Sequence, residues 1–255
     1  MRAPDTRQES RSLSQGKPCR YNRPVSTPPV PARVFGFVAA EADVCVLVRS
    51  GPGKRTLMIR WDLETDAFEI GQWLLVGFAG GRLSPDGELL AYVVHNSKYA
   101  SYYSVVSRPP YFTALALWYM AGPYSNGVDW AKNSNEISVS SPDIGYVPTE
   151  YQTRLSFEES LPSSWIPAED GSPRRHRPSP IGELVWYWDP YQPFYSLDDD
   201  LLDATWADVD HRGRLLFARA GRVYVRVADG ERELIDLNPY EFRPFAPPEW
   251  ATRWP

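Results

Sequence analysis

The sequence predicts an all-β fold made of a recurring four-stranded sheet, and three observations point there. The 255 residues include 25 prolines, about twice the usual ~5% share, and proline is poorly tolerated inside helices. Apolar runs are short, rich in β-branched and aromatic side chains, and broken by Gly, Pro, Asn and Asp, the pattern of strands and hairpins. A turn of one chemistry then recurs along the chain, each time followed at once by an apolar strand. Hydrophobic content of 43% and charged content of 23% are those of a globular domain and exclude a wholly disordered or collagen-like chain. No run reaches the roughly 18 consecutive apolar residues of a membrane helix, so no membrane partner is expected.

Residues 1–32 come first. They hold Pro4, Pro18, Pro24, Pro28, Pro29 and Pro31, six basic groups and two acidic ones. They read as a disordered basic leader rich in Pro, Ser and Arg. The texture changes at Arg33. Val34–Val38, Val44–Val48, Thr56–Trp61 and Phe68–Ile70 are strand-like, with a turn at Ser50-Gly51-Pro52-Gly53. Four strands in about forty residues is the content of one propeller blade.

The unit repeats. Ser84-Pro85-Asp86 precedes Gly87-Glu88-Leu89-Leu90-Ala91-Tyr92-Val93, and Ser179-Pro180-Ile181 precedes Gly182-Glu183-Leu184-Val185-Trp186. Asp210-His211-Arg212 precedes Gly213-Arg214-Leu215-Leu216-Phe217, and Lys132-Asn133-Ser134 precedes Asn135-Glu136-Ile137. Asp43 opens the weakest copy. The closing positions 43, 87, 135, 182 and 213 are 44, 48, 47 and 31 residues apart. Gly, Asn and Asp occupy all five because they tolerate the positive φ that reverses the chain. Gly87, Asn135, Gly182 and Gly213 are therefore the expected structural turns. The spacing predicts a β-propeller of about five four-stranded blades over 33–255, one of them incomplete. Short strands after Gly turns also build a β-sandwich or an irregular barrel, which is the alternative. Residues 142–181 carry seven prolines and read as a Pro-rich insertion tipped by Arg174-Arg175-His176-Arg177, with at most one helical turn at Glu158–Leu161.

Leu83-Ser84-Pro85-Asp86-Gly87-Glu88-Leu89-Leu90-Ala91-Tyr92 resembles the blade signature of bacterial β-propellers of the TolB and WD40-like kind. Ala207-Asp208-Val209-Asp210-His211-Arg212-Gly213-Arg214-Leu215-Leu216-Phe217, continuing to Leu237, resembles a second such blade. Ser107-Arg108-Pro109-Pro110-Tyr111, running on to Trp118, is similar to uncharacterised bacterial propeller-like proteins. The likeness is good over 78–140 and 200–240 and poor over 141–180. No Gly-His or Trp-Asp pair stands at the usual WD40 offsets. The resemblance implies a fold and leaves the chemistry open.

Charge and motifs narrow the function classes. Residues 33–255 hold 21 basic and 30 acidic groups, a sign that repels nucleic acid and disfavours it as a partner. Only Cys19 and Cys45 occur, so no disulfide framework is implied and a cytoplasmic setting is expected. His95, His176 and His211 lack ligand spacing, and Asp208-Val209-Asp210 opens a calcium-like loop that Arg212 and Arg219 spoil. No metal site and no cofactor is expected. No Gly-x-Ser-x-Gly elbow or phosphate-binding loop is present. A carboxylate pair for glycoside chemistry stays open.

The surplus is aromatic: 10 Trp, 15 Tyr and 10 Phe. Tyr111, Trp186, Trp188, Tyr191, Phe194 and Tyr195 are candidate partner-binding residues, together with the basic Arg174, Arg175 and Arg177. Rigid amphipathic rings are favoured at binding hot spots; packing of blade faces uses the same residue types. The expected function is a protein-interaction or scaffold module. A propeller that binds a small molecule or glycan, or hydrolyses one, is the competing reading.

Overall fold

The computed structural model describes residues 30–96, 101–120, 128–130, 137–139, 155–156, 166–172, 174–187, 194–227 and 230–255. Residues 1–29 of the leader, Asn135 and the Glu158–Leu161 segment lie outside them. The described chain is all-β apart from one 3-10 turn at Glu249–Thr252.

Sheet I contains β1 (Arg33–Val38), β2 (Val44–Ser50), β3 (Arg55–Asp62) and β4 (Ala67–Leu75), paired in chain order. Sheet II repeats the meander with β5 (Gly77–Leu83), β6 (Leu90–Asn96), β7 (Ser101–Ser107) and β8 (Ala114–Met120). Sheet III has three short strands, β9 (Val128–Trp130), β10 (Ile137–Val139) and β11 (Leu155–Ser156), and its β10–β11 pair is parallel. Sheet IV has five: β12 (Ile166–Pro167), β13 (Arg174–Ser179), β14 (Gly182–Tyr187), β15 (Phe194–Leu197) and β16 (Asp200–Leu202). Sheet V is again a four-stranded meander of β17 (Trp206–Val209), β18 (Leu215–Arg219), β19 (Arg222–Val227) and β20 (Gly230–Asp236).

This is a propeller with four blades of at least four strands, sheets I, II, IV and V. The sequence predicts about five four-stranded blades; among the described residues sheet III reaches only three strands, so a fifth full blade is not shown. The basic run 174–177 also departs from expectation. It lies in β13, paired along its length with β14, not at a loop tip. A strand forms there because each residue from Arg174 to Ser179 meets a partner between Gly182 and Tyr187, and a paired ladder satisfies backbone groups that a loop would leave to water.

The second strand of each blade explains the unbroken apolar runs. Cys45 and Leu47 of β2 pack toward sheet V beside Trp206 and Leu216, while Val46 packs toward sheet II beside Leu83 and Tyr92. In β18, Leu216 and Ala218 join the seam with sheet I, and Leu215 and Phe217 join the seam with sheet IV. Alternate side chains leave opposite faces of a strand. With a neighbouring sheet on each face, the runs Val44–Val48 and Leu215–Ala218 are apolar throughout.

The turns that lead into β2, β6, β14 and β18 gather at one end. Gly87 has φ +77°, Gly213 φ +73° and Gly182 φ +128°, as turn reversal requires; Asp43 is not among the positive-φ residues. Ser84 Oγ accepts the Leu89 amide at 2.9 Å, and Asp210 Oδ1 accepts the Arg214 amide at 2.8 Å. A hydroxyl and a carboxylate thus do the same work in two copies of one turn. The Glu41 amide donates to Pro85 O at 2.8 Å, and His211 Nε2 lies 3.1 Å from Ala39 O. Neighbouring turns therefore touch, Gly213 lying beside Pro180 as well, and β1, β5, β13 and β17 run toward this turn end.

Candidate functional site

The turns between β3 and β4 and between β7 and β8 reach the same end. In sheet II that turn is Arg108-Pro109-Pro110-Tyr111, closed by the Tyr111 amide donating to Arg108 O at 2.9 Å. It leans on β4. The Gln72 amide donates to Pro110 O at 2.9 Å, and Gln72 Oε1 accepts the Phe112 amide at 2.9 Å. Gly71 is required by this approach, because a Cβ there would stand 1.9 Å from Pro110 O.

The C-terminal segment then crosses from sheet V over sheet I to this turn. Phe242 meets Trp73 edge-on at 5.7 Å, with the Arg55 guanidinium 5.7 Å over its ring. Gln72 Nε2 donates to Phe245 O at 3.2 Å, and Arg108 donates to Trp250 O at 3.3 Å. Tyr111 is flanked by Phe245 at 6.1 Å and Trp250 at 5.2 Å, both near perpendicular to it. The Arg108 guanidinium lies 5.0 Å over Trp250 and 3.4 Å from Glu88. Burial, then the nearby Glu69 carboxylate, pushes the Tyr111 phenol up, so it stays a neutral donor at neutral pH. Phe245 is 45% exposed and Trp250 44%. Two fixed aromatic rings thus stand half in water on either side of Tyr111.

Sequence reasoning selects Tyr111 and misses Phe245 and Trp250. The available signal is Arg243-Pro244-Phe245-Ala246-Pro247-Pro248-Glu249-Trp250, aromatics set among prolines that forbid a ladder.

The other candidates sit in sheet IV, apart from this rim. Trp186 and buried Tyr195 pack toward sheet V, and Arg175 lies 5.5 Å over the Trp186 ring. These two rings belong to a seam, not to a loop tip, because both face sheet V from adjacent paired positions. Phe194 is 40% exposed and stacks on Tyr187 at 4.5 Å with 10° between the planes. Trp188 and Tyr191 lie outside the described residues. Arg174 pairs with Asp170 at 2.5 Å; hydrogen bonds from Ser172 and then Arg174 hold that exposed carboxyl down to about 2.

Arg177 reaches into the seam between sheets IV and V and pairs with Asp208, also donating to Val209 O at 3.0 Å. Asp208 Oδ1 accepts its neighbouring Val209 amide at 2.8 Å. Burial still raises the Asp208 carboxyl to about 6 against the pull of Arg177. Cys45 and Tyr195 lie within its field, and burial first, then Asp208, raises both. Among the described residues no group of three or more His, Cys, Asp or Glu is placed to hold a metal ion. No helix there is long and apolar enough to cross a membrane.

No family model and no curated protein matches the chain. Solved structures similar to it include the acylaminoacyl peptidase of Pyrococcus horikoshii, at 12% identity and TM-score 0.41, covering 81% of this chain and 53% of that one. An uncharacterized protein from Listeria monocytogenes EGD-e is similar at 11% identity and TM-score 0.32, covering 82% and 55%. The β-propeller domain of the Trilobed protease of Pyrococcus furiosus, which has an open velcro topology, is similar at 11% and 0.36, covering 82% of this chain and 100% of that domain. The chain spans about half the length of the first two.

Proposed function

We propose that this propeller is a protein-interaction or scaffold module whose contact surface is the aromatic rim of Tyr111, Phe245 and Trp250. The observation that carries the reading is the near half exposure of Phe245 and Trp250 while both are locked against Tyr111. Rings held in place before binding lose little entropy on contact, and Trp and Tyr dominate binding hot spots. The five recurring turns and five sheets support a count of five blades, with sheet III incomplete. The experiment is quantitative affinity capture from the native host, comparing wild type with a Phe245→Ala/Trp250→Ala variant of unchanged circular dichroism. A partner held by wild type and at least tenfold depleted with the variant is expected. Equal recovery by both overturns the assignment of the rim.

A second reading, glycan or small-molecule binding, rests on the Tyr187–Phe194 stack, whose exposed ring beside Arg174 is the platform on which a sugar face packs. A glycan array that gives no signal reduced by Phe194→Ala removes it.

A further inference from the structure

Sheets V and I close the ring without sharing a strand. Sheet I is built wholly from residues 33–75 and sheet V wholly from 206–236. Val76 alone joins sheet I to sheet II, and Asp203-Ala204-Thr205 joins sheet IV to sheet V. The last sheet and the first meet at the contact of Trp206 with Gly36, with no short linker between them. Bringing positions so far apart together costs loop-closure entropy, which non-covalent contacts must offset.

The segment after β20 spans this junction. Leu237 is buried in the seam, and its carbonyl accepts Arg49 Nε of β2 at 3.2 Å. The Asn238 side chain then bridges the two sheets by itself. Its Nδ2 donates to Ala220 O, between β18 and β19, at 2.9 Å. Its Oδ1 accepts the Ala32 amide, just before β1, at 3.1 Å and 206 positions away. The chain continues across sheet I, where Phe242 meets Trp73. It ends on sheet II, where Ala251 is fully buried and Trp250 is held by Tyr111 and Arg108. One segment thus grips the last sheet, the first and the second. Cys45 lies buried in the seam between sheets V and I.

We propose that residues 237–255 are a clasp that holds the ring shut at the seam between sheets V and I, in place of a shared strand, and whose release opens that seam to water. Clasp closure needs no partner at the aromatic rim. The test uses the full chain carrying Cys19→Ser, so that Cys45 is its one thiol. A buried thiol reacts only when it reaches solvent, and local opening labels it faster than global unfolding allows. The rate of reaction of Cys45 with dithiobis(nitrobenzoate) is measured without denaturant and compared with the unfolding constant from urea titration. Phe245→Ala/Trp250→Ala, which frees the far end of the clasp on sheet II, should speed labelling at least tenfold beyond its change in the unfolding constant. Asn238→Ala, at the near end, should do the same. Leu184→Ala, in the seam between sheets IV and V, should raise both quantities in proportion. Labelling that follows the unfolding constant in the clasp variants, an excess confined to Asn238→Ala, or an equal excess in Leu184→Ala overturns the proposal. Arg108→Ala, which removes the donor to Trp250 O, replaces the double variant if that variant does not fold.

Discussion

The two seams that flank sheet V are built from different chemistry. Toward sheet I the core of the contact is apolar, with the Arg214–Asp66 and Arg232–Asp66 pairs at its edge: Trp206 fills the space over Gly36, where a Cβ would stand 2.2 Å from the indole, and Val34, Leu47, Leu216 and Val225 share its cluster. Toward sheet IV, Leu184, Tyr195 and Phe217 share the seam with the Arg177–Asp208 pair. The apolar core of the first seam draws its strength from area removed from water. The mixed seam holds a charge that burial disfavours, and its strength depends on proton concentration. One blade is thus held by a seam with an apolar core on one side and by a seam with a buried ion pair at its core on the other.

Trp206→Ala should cost the most, about 4 kcal/mol, because nothing flanking Gly36 is large enough to refill the space. Urea unfolding checks it; a loss near 1 kcal/mol would show that the apolar seam is not the stronger one. Arg177→Ala comes next, about 3 kcal/mol at pH 8, since it leaves the Asp208 carboxylate buried without its counter-charge. The loss should shrink below pH 5, where Asp208 is protonated.

Asp208 sharpens the contrast further. Its carboxyl titrates at about 6 when folded against 3.8 as a free side chain. The folded chain therefore binds more protons between those values, and this group's contribution to stability falls as pH rises from about 4 to 6. The total is on the order of 2–3 kcal/mol. The difference in unfolding free energy between wild type and Asp208→Asn, measured from pH 4 to 8, should trace that fall. A flat difference removes the pH-dependent seam. Gly87→Val should cost about 2 kcal/mol, from its positive φ and from Val44, 2.9 Å from the added Cβ. Arg232→Ala should cost only about 0.3 kcal/mol: its pair with Asp66 at 2.8 Å is exposed on the Arg232 side, and Arg214 holds the same carboxylate at 3.0 Å.

Much of the fold is legible before any coordinates. The Gly87 and Gly213 turns, the meanders around β2, β6 and β18, and burial of Cys45 all follow from local chemistry. The 174–179 strand is not legible, because its sequence has three arginines, a histidine and a proline and no apolar alternation; it is a strand because β14 pairs with it. Of the candidate site, Tyr111 is legible as an aromatic beside a Pro-Pro turn. Phe245 and Trp250 become its neighbours only because the C-terminal segment crosses two sheets.

Composition and turn spacing alone determine that this chain folds as repeated sheets, since φ preference and side-chain alternation act over a few residues. Which sheets meet, and hence where Asp208 finds Arg177 and Tyr111 finds Trp250, is decided only by tertiary packing. Those pairs are 31 and 139 positions apart, and no local preference reaches so far.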